Sequence, residues 1–93
     1  MDNIYQVYLI SDSTGETLDR IFLALQAQFS NFQYKSHQYS FTRTENQILK
    51  ILETCKKKNN SIILYTIVDI KLAKFLASKV KNLIFLVLVF WGI

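Results

Sequence analysis

The 93-residue sequence predicts an α/β fold. The expected architecture is a parallel sheet of three or four strands with three crossover helices, an incomplete Rossmann-like domain. Three observations predict it. Short runs of strand formers alternate with stretches of helical periodicity in the order β-α-β-α-β-α. Each helical stretch opens on a capping residue. Proline is absent and only two glycines occur, which argues against a turn-rich all-β fold.

The first strand is expected over residues 4–10, where Ile4, Tyr5, Val7, Tyr8, Leu9 and Ile10 are all strand formers. Leu18, Ile21, Phe22, Leu25 and Phe29 then recur at i, i+3, i+4, i+7 and i+11, one face of a helix. Ser13 and Glu16 form a capping-box pattern, so this helix is expected to start near Ser13 or Thr14 and to end at Ser30-Asn31. Residues 32–41 read as a more polar strand with aromatics at Phe32, Tyr34 and Tyr39, suited to a sheet edge. Thr44 and Gln47 make a second capping box ahead of the stripe Ile48, Ile51, Leu52, Cys55. Lys56, Lys57 and Lys58 close that helix, where cations suit the macrodipole, and Asn59-Asn60 is the turn. Residues 61–68 form a short apolar run whose length fits a strand buried on both faces. Asp69 is an N-cap candidate for the third stripe, Leu72, Phe75, Leu76 and Val80. Residues 1–82 make one domain. Nine apolar residues from Leu83 to Trp91 follow, in a tail over 83–93 that reads as a possible fourth strand. The tail falls short of the roughly 20 residues a membrane-spanning helix needs, so no transmembrane segment is expected.

Composition narrows the function classes. At 51% apolar the chain is not a disordered one. A single cysteine excludes an internal disulfide, and Asp2 stands where a signal peptide would carry basic residues; a cytoplasmic protein is expected. The net charge of +4 is concentrated in residues 55–93. Its lysines fall at solvent-facing helix positions and helix ends, so nucleic acid is not expected as a partner. His37 has no second ligand at a metal-binding spacing and reads as a solvated or hydrogen-bonded strand histidine; no metal site is expected. Cys55 sits on an apolar stripe and reads as a buried small hydrophobe.

The candidate site is the segment Ser11-Asp12-Ser13-Thr14-Gly15-Glu16-Thr17, where an apolar strand delivers hydroxyls and a carboxylate to a helix N-terminus. Such a junction is suited to an anion, held by free amides and by the Ser13, Thr14 and Thr17 hydroxyls. Gly15 would let the backbone approach a ligand closely, and Asp12, the one candidate for a catalytic role, could orient a metal-bound water or a hydroxyl. Asp12 or Ser13 could equally do no more than cap the helix. Arg43, between two threonines, has a guanidinium fork suited to phosphate, or pairs at the surface with Glu45 or Asp69. Asp69 reads as a cap in preference to a catalytic acid.

Three segments in register resemble one known family. They are Ser11 to Thr17, Phe41-Thr42-Arg43-Thr44-Glu45, and Leu64-Tyr65-Thr66-Ile67-Val68-Asp69. Together, over about residues 4–80, they are similar to the N-terminal part of the pyruvate, phosphate dikinase regulatory proteins, also called phosphoenolpyruvate synthase regulatory proteins. The resemblance implies a bifunctional enzyme. It would phosphorylate a threonine of the dikinase or synthase with ADP, and remove that phosphate with inorganic phosphate, releasing pyrophosphate. ADP and phosphate are thus implied for the intact family protein, and the dikinase or the synthase as its partner. The family's Gly-rich nucleotide loop has no counterpart here, since no G-x-x-x-x-G-K-[ST] pattern occurs in these residues. The chain alone is therefore expected to be inactive. The alternative is a small anion- or lipid-binding α/β module. The tail departs from the family, whose continuation resembles Ile-Pro-Cys, an apolar run and Leu-Gly. Back-translated into AT-rich codons and read two nucleotides on, residues 82–93 become Phe-Asn-Ile-Pro-Cys-Phe-Gly-Ile-Leu-Gly-Asn, which leads to the expectation of a frameshifted gene.

Overall fold

The computed structural model describes residues 4–27, 33–57, 60–80 and, for the backbone alone, 87–89. Four parallel strands lie in the order β2-β1-β3-β4: β1 (Ile4–Ser11), β2 (Gln33–Tyr39), β3 (Ser61–Thr66) and β4 (Val87–Val89). Three helices connect them: α1 (Glu16–Gln26), α2 (Glu45–Lys56) and α3 (Ile70–Lys79). The expected α/β class and β-α alternation are present, and the apolar tail supplies the fourth strand.

Burial explains the strand order. β1 is apolar on both faces, and it takes the interior position between β2 and β3. Its side chains alternate between two cores. Tyr8 and Ile10 join Ile63, Tyr65 and Ile67 under the α2 and α3 stripes, Ile48, Ile51, Leu52, Cys55, Leu72, Leu76 and Val80. Val7, Leu9 and Leu64 meet Leu18 and Phe22 of α1 on the opposite face. All three helical stripes therefore face the sheet as their spacing predicts. β2 is polar and alternately exposed, and it takes the edge beside β1. Tyr34 packs edge-on to Phe22, while Tyr39 lies on the other face. His37 stacks on Tyr8 with ring centroids 4.9 Å apart, and its Nε2 lies 2.7 Å from Gln6 Oε1, matching the hydrogen-bonded reading.

Two predicted helix starts are observed and one is not. Thr44 and Gln47 complete the capping box of α2. Asp69 caps α3, its Oδ1 accepting from the Leu72 amide at 3.1 Å. The box expected for α1 does not form. Its N-cap is Gly15, at φ 89° and without a side-chain cap, and Glu16 is the first helical residue. Ser13 is held elsewhere, its amide donating to Ser11 Oγ and its carbonyl accepting from the Phe41 amide. Neither Asp12 nor Ser13 therefore caps this helix. β2 is also shorter than residues 32–41, and β3 stops at Thr66 ahead of Val68. Phe29, the Ser30-Asn31 stop, Phe32, Lys58 and Asn59 lie outside the described residues, as do the tail residues on either side of β4.

Candidate functional site

The chain leaves β1 for β2 on one side and reaches β3 on the other. The carboxyl ends of β1 and β3 therefore flank a topological switch point, the usual ligand crevice of an open α/β sheet. The strand register sets Ser11 beside Thr66 at this crevice.

Three loops meet there through hydrogen bonds. In the first, after β1, Ser11 is buried, and its Oγ accepts from the Ser13 amide at 3.1 Å. The same oxygen lies 3.3 Å from Ser13 Oγ and accepts from Thr66 Oγ1 at 3.5 Å. The hydroxyl is thus committed inside the protein. Asp12 ties this loop to the one after β3: its Oδ2 accepts from the Val68 amide at 2.8 Å. The loop after β2 closes from the other side. The Phe41 and Thr42 amides donate to the Ser13 and Ser11 carbonyls at 3.0 and 2.8 Å, and Ser40 Oγ donates to the Thr14 carbonyl at 3.0 Å. The three sequence segments, separated by tens of residues in the chain, form one surface.

Arg43 lies across the seam. Its Nε donates to the Asp12 carbonyl at 3.0 Å, and its guanidinium lies over the Phe41 ring, 5.1 Å from the centroid. These contacts replace the expected pairing with Glu45 or Asp69. They fix the plane of the fork while its terminal nitrogens make no hydrogen bond or ion pair among the described residues. Phe41 holds φ 55°, a conformation uncommon for a non-glycine residue, which needs the surrounding bonds to sustain it.

The remaining candidates divide by exposure. Ser13, Thr14 and Thr17 are exposed at the start of α1, with Thr14 Oγ1 accepting weakly from the Glu16 amide at 3.5 Å. Gly15 is buried, and a Cβ there would come 2.6 Å from Gln38 Nε2. Its role in the structure is thus a left-handed turn under Gln38 and Ser40. Thr66 and Ser40 were missed as site residues; both are hydroxyls at the carboxyl end of a strand, a signal that register would have revealed. Cys55 is buried far along α2, and burial pushes its thiol up to about 12, as the hydrophobe reading requires. Among the described residues no group of three or more His, Cys, Asp or Glu could hold a metal ion. No helix among them is long and apolar enough to cross a membrane.

An open parallel sheet with a hydroxyl-rich switch-point crevice defines the class as a Rossmann-like α/β protein. More specifically, the chain belongs to the kinase/pyrophosphorylase family, whose model matches residues 7–91. The match runs on into the apolar tail, beyond the span carried by the three motifs. Among curated proteins the chain is 67% identical over 79 residues to a protein of Pelagibacter ubique (strain HTCC1062) named as a pyruvate, phosphate dikinase regulatory protein. Proteins of the same name from Geobacter metallireducens and Brucella anthropi are 39% and 46% identical over 75 and 69 residues. These alignments cover 85%, 81% and 74% of this chain, but only 29%, 28% and 25% of the relatives. The chain thus spans less than a third of the length of the curated relatives it matches.

Proposed function

We propose that these residues are the N-terminal wall of a phosphoryl-transfer site in a cytoplasmic regulator of pyruvate, phosphate dikinase. The carrying observation is the convergence of three loops at the β1/β3 switch point, with Arg43 held across them. The exposed hydroxyls of Ser13, Thr14 and Thr17 and the guanidinium fork of Arg43 bind phosphate oxygens. Asp12 sets the spacing of the loops; Ser11 and Gly15 shape them from beneath. In the intact protein ADP gives its terminal phosphoryl to a target threonine, leaving AMP. In the reverse task an oxygen of inorganic phosphate attacks the phosphothreonine phosphorus, the bond to the threonine oxygen breaks, and pyrophosphate leaves. The nucleotide loop belongs to sequence outside these 93 residues, so the chain alone transfers no phosphate.

The test is a chimera. Residues 4–80 replace the corresponding segment of the Pelagibacter relative, chosen for its 67% identity. ADP-dependent inactivation of the dikinase is expected to survive in the chimera and to fall sharply when Arg43→Ala is added. A folded chimera without transfer activity, or transfer by the 93-residue chain alone, would sink the proposal. Phosphate or fatty-acid binding without transfer in the chimera would favour a simple binding module.

A further inference from the structure

A cleft of about 450 Å3 lies between the carboxyl end of β2 and one stripe of α2. Gln47, Lys50, Ile51 and Thr54, at helical i, i+3, i+4 and i+7 spacing, form one wall, and Gln38, Tyr39, Ser40 and Thr42 the other. Tyr39 and Ile51 supply apolar area, and the remaining lining residues are polar. Ser40 and Thr42 belong also to the switch-point site, through their bonds to Thr14 and Ser11, so cleft and site share a wall. The exposed side chains of Gln38 and Lys50 make no hydrogen bond or ion pair among the described residues.

We infer that this cleft seats the polypeptide of the protein substrate and is a specificity element separate from the phosphate grip. The inference rests on the proposed function and adds where the target chain lies. Three features favour a polypeptide. β2 is an edge strand with no neighbour on its outer side among the described residues, so an extended segment can take up its main-chain donors and acceptors. The lining residues Thr42 and Gln47 adjoin Arg43, whose amide donates to Gln47 Oε1 at 2.7 Å, so a segment lying in the cleft passes beside the residue that carries the guanidinium. Lys50 adds a second cation beside the path of a phosphorylated segment.

The test uses the full 93-residue chain, isotope-labelled, titrated with a short peptide containing one phosphothreonine, with its unphosphorylated form, and with inorganic phosphate. The phosphopeptide is expected to shift the amides of Gln38, Ser40, Lys50 and Thr54 as well as those of residues 13–17. Inorganic phosphate should shift residues 13–17 and Arg43 alone. Lys50→Glu should weaken phosphopeptide binding on the order of tenfold, about 1.4 kcal/mol, and leave phosphate binding unchanged. Lys50→Arg should restore it. A phosphopeptide that shifts only residues 13–17, or nothing, overturns the inference, as does equal binding by Lys50→Glu. The chimera decides the broader proposal separately: it can remain active while Lys50→Glu leaves its KM for the dikinase unchanged, which would refute the cleft alone.

Discussion

At the scale of single residues, Gly15 and Asp12 show how a site motif divides between shape and chemistry. Gly15 turns the chain at φ 89°. An alanine there would keep a left-handed backbone at a cost of roughly 1–2 kcal/mol, while the flexible end of Gln38 can move aside from the added methyl. Gly15→Ala is therefore expected to lower the unfolding free energy measured in urea by that amount without loss of the fold. Asp12 holds the Val68 amide through Oδ2. Asp12→Asn keeps an acceptor oxygen, whereas Asp12→Ala removes it and should cost about 1 kcal/mol in the same measurement. If the asparagine variant retains stability but the chimera bearing it loses transfer activity, the negative charge itself acts in the reaction. Equal activity would confine Asp12 to spacing the loops.

At the scale of elements, the two interior helix starts and the first one obey different rules. Thr44 caps α2 through a complete reciprocal box. Thr44→Ala should destabilise the protein by about 1 kcal/mol. Ser13→Ala should leave α1 intact, because Ser13 caps nothing and Gly15 starts that helix. Chemical denaturation of both variants checks the contrast; an equal loss from Ser13→Ala would show a cap that the hydrogen bonds do not contain. The S-x-x-E pattern was misleading for a physical reason. Capping depends on which amides are left free, and Ser13 is drawn into the seam with Phe41 before the helix begins. At Thr44 no competing partner intervenes, and local sequence decides.

At the scale of the whole molecule, burial of ionisable groups sets the response to alkali. Cys55 is pushed up to about 12, and burial also raises Tyr8, Tyr39 and Tyr65, with Cys55 adding to the rise for Tyr8 and Tyr39. A raised folded-state value means that the unfolded chain gives up these protons first. The associated stability is complete below the thiol's ordinary 9.0 and is lost as pH rises through about 12. The urea midpoint is expected to hold from neutrality to pH 9 and then to fall progressively; a flat profile to pH 12 would contradict the burial. Cys55 should likewise resist thiol reagents at pH 8 until denaturant is added. On the surface, Val68 and Ile70 are 73% and 56% exposed and border a cavity of about 210 Å3 with Ala73 and Ala77. Replacing both with serine should reduce binding of an apolar fluorescent dye without lowering Tm, since neither side chain lies in a core.

The features legible in the chain before folding are those written in local periodicity. The α2 and α3 stripes, the caps at Thr44 and Asp69, and the polarity of β2 as an edge follow from neighbours a few residues apart. So does the order of elements. Even the three site segments were legible, though as separate pieces. The tertiary structure decided what depends on pairing across the chain. It placed β1 between β2 and β3, so that Ser11 meets Thr66, Asp12 reaches Val68 and Arg43 locks onto the Asp12 carbonyl. It also gave Gly15, and not Ser13, the start of α1. No residue's own propensity encodes those bonds; they exist because two apolar cores on opposite faces of one sheet fix which strand ends become neighbours.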